Sequence, residues 1–281
     1  MGTCARVPNG NNQGPRTGRA ARAGFREAGG TGMNAGMRWV AAAGIVLWAG
    51  AAQAQTADEA VEKALAAMGG RAALTKLTTR VATGTITVST QGVDIPGTVE
   101  MSYKAPNMAR SLMKLDLSAF GGAEMIIDRR CDGKTAFESN SQTGIREITG
   151  NQLENMLNAS FPTPFLNYKQ AGAKVEVAGK EKVGDKDAVV LVYTPKSGSV
   201  SRLYFDAQTW QLIRSAAKVN IPEAGGELEQ TNDPSDYRDV DGVKIPFTVL
   251  VSSPAQSITL RFQKVEHNKP LDDAIFGRTA K

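Results

Sequence analysis

Alternation of apolar and polar residues with a period of two runs through most of the chain after Val81 and predicts a series of β-strands. Ile86 and Val88 alternate with threonines, and similar alternation continues between residues 99 and 117. Further segments rich in Val, Ile, Thr and aromatic residues are separated by Gly, Asp and Pro turns. They lie at 123–128, 135–138, 174–181, 188–194, 200–205, 211–220, 227–239, 244–252 and 256–265. This spacing favours a mainly β fold, with roughly 11–13 strands in an antiparallel meander.

Helical periodicity precedes the strands. Thr56 and Glu59 form a capping-box pattern, in which each side chain can bond the other's backbone amide, so we expect a helix to begin there. Gly69 and Gly70 are typical of a helix end, because glycine adopts positive φ without strain. A short second helical piece is expected at 71–77.

One further helix is predicted inside the run of strands. Thr149 and Gln152 repeat the capping-box pattern, and Pro162 ends the segment. Leu153, Met156, Leu157 and Phe161 fall on one face at helical spacing. An amphipathic helix in this position is expected to lay its apolar face on the apolar face of the sheet, as a fixed plug or as a movable lid.

The segment from Met37 to Ala54 has the pattern of a secretory signal peptide. Arg38 precedes an apolar run that is too short to span a bilayer, and 52–54 reads Ala-Gln-Ala, a cleavage site of small residues. We expect cleavage after Ala54, which leaves residues 55–281 as a single exported domain; an uncleaved membrane anchor is the alternative. Position 55 is Gln, so the cysteine that would carry a lipid anchor is missing there. Residues 1–36 are interpreted as a mis-assigned start or a disordered extension.

Charge argues against nucleic-acid binding once the leader is removed. The full chain has 33 basic and 28 acidic residues, but residues 1–54 contain six arginines and one acid. The exported part therefore has 27 of each and is formally neutral. Without a basic excess, the electrostatic attraction that dominates nucleic-acid affinity is missing.

Residue types that perform catalysis or bind metals are sparse. His267 is the only histidine, and Cys131 is the only cysteine after residue 54. The acidic residues between Asp233 and Asp241 miss the spacing of a calcium loop, and Asp128 and Asp132 are expected to be solvated beside a turn. We therefore expect no catalytic residue, no metal site and no cofactor, and the protein is not predicted to be an enzyme.

Apolar residues, methionines above all, are the more unusual feature. Met101, Met108, Met113 and Met125 fall on consecutive predicted strands, and flexible methionines suit ligands of variable shape, although ordinary core filling is the alternative. A strongly curved sheet with few helices has more concave apolar surface than those helices can cover. The predicted lining of an apolar cavity comprises Ile86, Val88, Val99, Met101, Tyr103, Met113, Leu115, Met125 and Ile127 from strands, with Leu153, Met156, Leu157 and Phe161 covering it.

Five segments resemble the outer-membrane lipoprotein-sorting proteins, the LolA/LolB-like family. They are Tyr-Lys-Ala-Pro-Asn at 103–107, Cys-Asp-Gly-Lys-Thr at 131–135, Leu-Tyr-Phe-Asp-Ala at 203–207, and the longer runs 236–247 and 270–276. The resemblance implies an unclosed antiparallel β-barrel with a helical lid and an apolar cavity for lipoprotein acyl chains in the periplasm. It also implies an inner-membrane donor complex and an outer-membrane acceptor as partners.

One position departs from the family pattern. An arginine that precedes the proline of the 103–107 segment hydrogen-bonds the lid in the family, and this position is Ala105 here. Arg110, on the next predicted strand, is the nearest candidate replacement.

The sequence hypothesis is therefore a soluble periplasmic carrier, not lipid-anchored, that binds acyl chains of lipoproteins or other lipids for transfer toward the outer membrane. The alternative is a sensor or protein-binding module of the envelope that uses the same fold without transport. An enzyme on this scaffold is the third hypothesis.

Overall fold

A single antiparallel sheet of 13 strands forms most of the computed structural model, which describes residues 56–221 and 226–278. Within these residues three α-helices accompany the sheet: α1 (Ala57–Ala67), α2 (Arg71–Leu74) and α3 (Gly150–Asn158). The strands are β1 (Thr79–Thr90), β2 (Val93–Lys104), β3 (Met108–Leu115), β4 (Met125–Cys131), β5 (Ala136–Asn140), β6 (Gly144–Ile148), β7 (Lys174–Val183), β8 (Lys186–Thr194), β9 (Ser201–Asp206), β10 (Leu212–Ile221), β11 (Gly226–Val240), β12 (Val243–Ser252) and β13 (Ser257–His267). The predicted mainly β, unclosed antiparallel architecture and strand number are confirmed.

The order of the strands makes two meanders that meet in the middle. The sheet runs β6-β5-β4-β3-β2-β1-β13-β12-β11-β10-β9-β8-β7, so β1 and β13 pair at its centre. Strands β6 and β7 follow each other in the chain but form the two opposite edges of the sheet. The connection between these edges carries α3, followed by a 3-10 turn at Pro164–Leu166.

Two glycines let the central strands approach their neighbours closely. A Cβ at Gly84 of β1 would collide with the carbonyl oxygen of Arg261 in β13, and one at Gly97 of β2 would collide with that of Lys114 in β3. The β1–β13 register also shifts between Thr83 and Gly84. Glycine and irregular register are the usual means by which a sheet bends sharply.

Helix α1 begins as the sequence predicts. The Glu59 amide donates to the Thr56 hydroxyl (3.2 Å), and the Thr56 amide donates to the Glu59 carboxylate (3.1 Å). At the other end, the Lys244 amide of β12 donates to the Met68 carbonyl (3.0 Å). Val61 and Leu65 of α1 are buried in the largest apolar core. Helix α1 is thus fixed onto the sheet at both its buried face and its C-terminal end.

Helix α3 is shorter than expected and differently capped. The Thr149 side chain makes no capping hydrogen bond, so the second capping-box prediction is wrong. The helix ends at Asn158, which leaves Phe161 outside it; the prediction that Phe161 shares the helical face is also wrong. The Phe161 amide donates instead to the Pro106 carbonyl (2.8 Å).

The predicted signal peptide at 37–54, its cleavage site and the 1–36 extension all lie outside the described residues. Within 56–221 and 226–278, none of the helices combines the length and apolar character that crossing a membrane requires.

Candidate ligand-binding cavity

An apolar cavity of about 290 Å³ lies on the concave side of the sheet. Helices α1 and α2 and the segment 162–165 border it on one side, and strands β9 to β12 border it on the other. Its apolar lining includes Met68 and Leu74 from the helices, Phe165 from the segment, and Leu203, Phe205, Leu212 and Ile245 from the strands. Helix docking and strand curvature therefore create the cavity together.

The volume limits what the cavity can hold in this conformation. An apolar protein cavity of about 150 Å³ accommodates benzene, so 290 Å³ has room for roughly twelve non-hydrogen atoms. One medium-length acyl chain fits this space, whereas several long chains require the cavity to widen.

Arg80, at the start of β1, places a charged side chain on the cavity wall. Its guanidinium carbon lies 5.1 Å from the ring centre of Tyr103 and 5.3 Å from that of Phe161. Burial lowers the pKa of Arg80, and the nearby Tyr103 opposes this shift. In the part of the chain that the structure describes, Arg80 forms no salt bridge.

Sequence reasoning did not single out Arg80, although a signal was present. Positions 80, 82, 84, 86 and 88 share one face of β1, and Ala82 and Ile86 are buried on that face. A lone arginine at the end of such an apolar row is unusual, because charged groups are rarely placed on a core face without a partner.

Tyr237 and Lys244, two other polar residues on this wall, have partners. The Tyr237 hydroxyl donates to the Leu212 carbonyl (2.8 Å), and burial raises the pKa of Tyr237. The Lys244 ammonium lies 3.3 Å from the Asp239 carboxylate. Arg80 therefore contributes an uncompensated positive charge to a mostly apolar space.

The thirteen predicted cavity residues do not line this cavity. Nine of them lie on strands β1 to β4. Ile86, Val99 and Leu115 are buried in a second apolar cluster, against which Val88, Met101, Met113, Met125 and Ile127 pack with partial exposure. Tyr103 contacts the largest core instead. The strand residues are therefore mostly brought together on one apolar patch beside the cavity, and their contact with a ligand stays a prediction.

The residues predicted to cover the cavity separate into two places. Leu153, Met156 and Leu157 of α3 pack on a third cluster formed by Cys131, Ala136 and Ile148. Phe161 joins the largest core, where it stacks on Tyr103. Helix α3 thus covers the sheet edge formed by β4 to β6, away from the cavity lining.

The polar side of α3 is tethered to the loop between β8 and β9. The Ser199 amide donates to the Asn155 side-chain oxygen (2.7 Å), and the Asn155 amide group donates to the Ser199 hydroxyl (3.0 Å). The Asn158 amide group donates to the Ser197 carbonyl (2.5 Å). Because β6 and β8 lie near opposite edges of the sheet, α3 bridges the opening between those edges.

A charged ladder lies between the second and third apolar clusters. Glu138 of β5 is buried between Arg129 of β4 and Arg146 of β6, and it forms salt bridges with both. Burial alone would raise the pKa of Glu138, but the hydrogen bonds from the two arginines outweigh it and lower the pKa. Both arginines thus have a carboxylate partner, whereas Arg80 forms no salt bridge with any described residue.

Asp128 is buried, so the prediction that it is solvated is wrong. Arg110 binds both carboxylate oxygens of Asp128 (3.0 and 2.9 Å), and Arg130 adds a further contact at 2.7 Å. Hydrogen bonds from these arginines lower the pKa of Asp128 although burial raises it. Arg110 is committed to Asp128, which disfavours it as a replacement for the arginine that is absent at position 105.

The acidic residues near the β11–β12 turn are distributed among separate partners. Asp233 pairs with Arg214, Asp236 with Arg238, and Asp239 with Lys244. Asp241 Oδ2 lies 3.1 Å from His267 Nδ1. Over 56–221 and 226–278, no group of three or more His, Cys, Asp or Glu residues is arranged to hold a metal ion.

His267 and Cys131 are both buried. The His267 side chain is 1% exposed, and its Nε2 has no hydrogen-bond partner among the described residues. Burial lowers the pKa of His267, with a further contribution from the charge of Arg80, while Asp241 opposes the shift. Burial raises the pKa of the Cys131 thiol, which disfavours the reactive thiolate.

Comparison with solved structures identifies the fold. A LolA superfamily protein from Nitrosomonas europaea superposes with a TM-score of 0.53 at 13% identity, over 80% of this chain and 99% of that chain. The fold is LolA-like. A DUF1329 family protein from Desulfovibrio piger gives a TM-score of 0.52 at 13% identity, over 80% and 98% of the two chains. An outer membrane lipoprotein-sorting protein domain from Vibrio parahaemolyticus gives 0.51 at 12% identity, over 78% and 95%.

At the level of sequence, no protein-family model and no curated protein matches the chain. At 12–13% identity, the likeness to these structures concerns the fold alone.

Proposed function

We propose that the protein is a soluble periplasmic carrier that binds the acyl chain of a lipid, or of a lipoprotein, against the concave face of its sheet. The observation that carries this proposal is the apolar cavity of about 290 Å³ between the helices and β9 to β12. The signal-peptide pattern at 37–54 supports an exported location. The LolA-like fold, shared with a structure named for lipoprotein sorting, supports a role in the envelope.

Apolar burial supplies enough free energy for such a carrier. Each buried methylene contributes about 0.8 kcal/mol, so a ten-carbon chain offers about 8 kcal/mol before the cost of association is subtracted. A net affinity in the micromolar range or weaker follows, which suits a protein that must release its cargo.

A lipoprotein needs more room than the cavity provides. Roughly twelve non-hydrogen atoms fit, so additional acyl chains have to occupy the neighbouring patch around Met101, Met113 and Met125. These methionines are partly exposed, and they adapt to different partners at low cost. Lipoprotein transport therefore requires the cavity to widen toward strands β2 to β4, which carry most of the predicted cavity residues.

The first test is native mass spectrometry of protein isolated from its own periplasm, together with titration of a fluorescent fatty-acyl probe. Leu203→Trp fills the cavity, whereas Leu250→Trp places the same substitution at an exposed strand position outside it. We expect probe binding to weaken at least about tenfold in the first variant and to stay unchanged in the second. Protein without bound lipid that also fails to take up the probe would contradict the proposal.

Depletion in the cell separates a carrier from a sensor. Loss of a lipoprotein carrier should leave lipoproteins at the wrong membrane, whereas loss of a sensor or protein-binding module should not. Correct lipoprotein sorting in depleted cells, combined with lipid binding by the pure protein, would restrict the carrier role to other lipids.

A further inference from the structure

Arg80 is a positive charge held at the wall of the apolar cavity without a carboxylate partner. The other arginines in the described ranges either pair with a carboxylate, as Arg110 does with Asp128, or are exposed, as Arg261 and Arg278 are. Arg80 is neither, because it is partly buried and its ring neighbours are Tyr103 and Phe161. Arginine stays protonated in proteins, so this charge is present whether or not the cavity is filled.

The neighbours of Arg80 restrict where it can find a counter-charge. Across the sheet it faces Tyr103 on β2 and His267 on β13. The Tyr103 hydroxyl points to the Met101 sulfur (3.5 Å), and His267 engages Asp241 through Nδ1. The stacked rings of Tyr103 and Phe161 attract the guanidinium through their π faces, but neither ring carries a carboxylate. An anion can thus reach Arg80 from the cavity.

The guanidinium also has the chemistry of an anion receptor. Its donors form a rigid fork that matches a carboxylate or a phosphate with two parallel hydrogen bonds, and such charge-assisted bonds are stronger in a dry site. An unpaired charge in an apolar space is unfavourable. A ligand that places an anion beside Arg80 removes this cost, and its binding free energy becomes more favourable by that amount.

We propose that the cavity takes a single-chain lipid with an anionic head group, whose carboxylate or phosphate binds Arg80 while its alkyl chain lies along Leu203, Leu212 and Ile245. This inference rests on the proposed function and narrows it to one ligand class. The size agrees, because decanoate has twelve non-hydrogen atoms and the cavity holds roughly that number.

The test compares ligands of equal chain length by calorimetric titration at neutral pH: decanoate, decyl phosphate and neutral 1-decanol. We expect the wild-type protein to bind at least one of the anions about tenfold more tightly than decanol, as a charge-assisted hydrogen bond in a partly buried site predicts. The preferred anion then identifies a fatty acid or a phosphate-bearing lipid as the source of the head group. Equal binding of all three would overturn the inference but leave the carrier proposal intact, whereas no binding of any of them would contradict the carrier proposal.

Variants give the second arm of the test. Arg80→Met removes the charge and keeps an apolar stem, Arg80→Lys keeps the charge, and Arg261→Met makes the same substitution at an exposed position of β13. We expect Arg80→Met to lose the preference for anions while still binding decanol, and Arg80→Lys to retain part of it. Circular dichroism verifies that each variant is folded. Anion binding that is unchanged in folded Arg80→Met would overturn the inference, and the wild-type comparison decides it even if this variant does not fold.

Discussion

The rings of Tyr103 and Phe161 stack with their centres 6.1 Å apart and their planes 10° from parallel. Tyr103 lies on β2 and Phe161 follows α3, so this contact holds the connection between the two sheet edges against the concave face. Phe161 is 7% exposed and belongs to the largest apolar core. The same pair flanks Arg80, which links the packing of this segment to the charge on the cavity wall.

Phe161→Ala should therefore lower the free energy of unfolding by about 3–5 kcal/mol, as removal of a buried aromatic ring does. Phe120→Ala is the matched control, because Phe120 is 55% exposed, and it should change stability by less than about 0.5 kcal/mol. Urea unfolding followed by circular dichroism measures both. Equal effects in the two variants would mean that the segment after α3 does not pack as the structure has it.

Asp128→Asn should destabilise the protein by about 2–3 kcal/mol, because it leaves Arg110 and Arg130 close together without their shared carboxylate. The control is Asp236→Asn, which breaks an exposed pair with Arg238 and should cost at most about 1 kcal/mol. Chemical denaturation measures both changes. A cost at Asp128 no larger than the control would show that this ion-pair group contributes little to stability.

The same carboxylate has a defined pH dependence. Since the folded-state pKa of Asp128 lies below its ordinary value of 3.8, its contribution is present above pH 3.8 and is lost as the pH falls through the folded value. The stability curves of the wild type and of Asp128→Asn should thus converge in strong acid. Curves that remain parallel would contradict the lowered pKa.

His267 should control stability in a separate, milder pH range. Its folded-state pKa lies below the ordinary value of 6.5, so the unfolded chain binds the proton more readily and stability should fall as the pH drops below 6.5. One proton limits this slope to about 1.4 kcal/mol per pH unit. Since the chain has a single histidine, His267→Asn should flatten the profile between about pH 5 and 7. A profile with the same slope in this variant would assign the effect to other groups.

Asn155→Ala should loosen α3 from the loop between β8 and β9. The substitution removes two hydrogen bonds to Ser199, and amide hydrogen exchange across 150–158 should become about 5- to 30-fold faster. The control, Asn167→Ala, changes an exposed asparagine outside α3. If α3 also acts as a lid, the fluorescent acyl probe should enter faster in Asn155→Ala alone. Unchanged exchange in α3 would show that these hydrogen bonds do not limit its opening.

Local patterns in the sequence predicted the elements well. The alternation of side chains determines which residues form strands, and the Thr56–Glu59 capping box depends on residues only three positions apart. Thr149 shows the limit of such patterns, because its capping-box spacing is present but the hydrogen bond is not formed. Pattern alone cannot weigh a cap against the geometry that the neighbouring strand imposes.

The position of the cavity depended on contacts that no local pattern contains. Met68, Leu212 and Ile245 meet because α1 docks on β12 and the sheet curves around it, so the cavity formed beside the predicted patch. Asp128 was misjudged for a similar reason: its partner Arg110 lies on the adjacent strand, and only the β3–β4 register brings the two together. Long-range pairing decides both features.

Because β1 pairs with β13, the sheet can be completed only late in synthesis of the chain. Each meander is assembled from consecutive strands, but the bond between the two meanders waits for Ser257–His267. Before that strand arrives, β1 and β12 both present open backbone edges, which are templates for association with other chains. A polypeptide that stops before residue 257 should therefore aggregate, as measured by light scattering, even though it contains twelve of the thirteen strands that the structure describes.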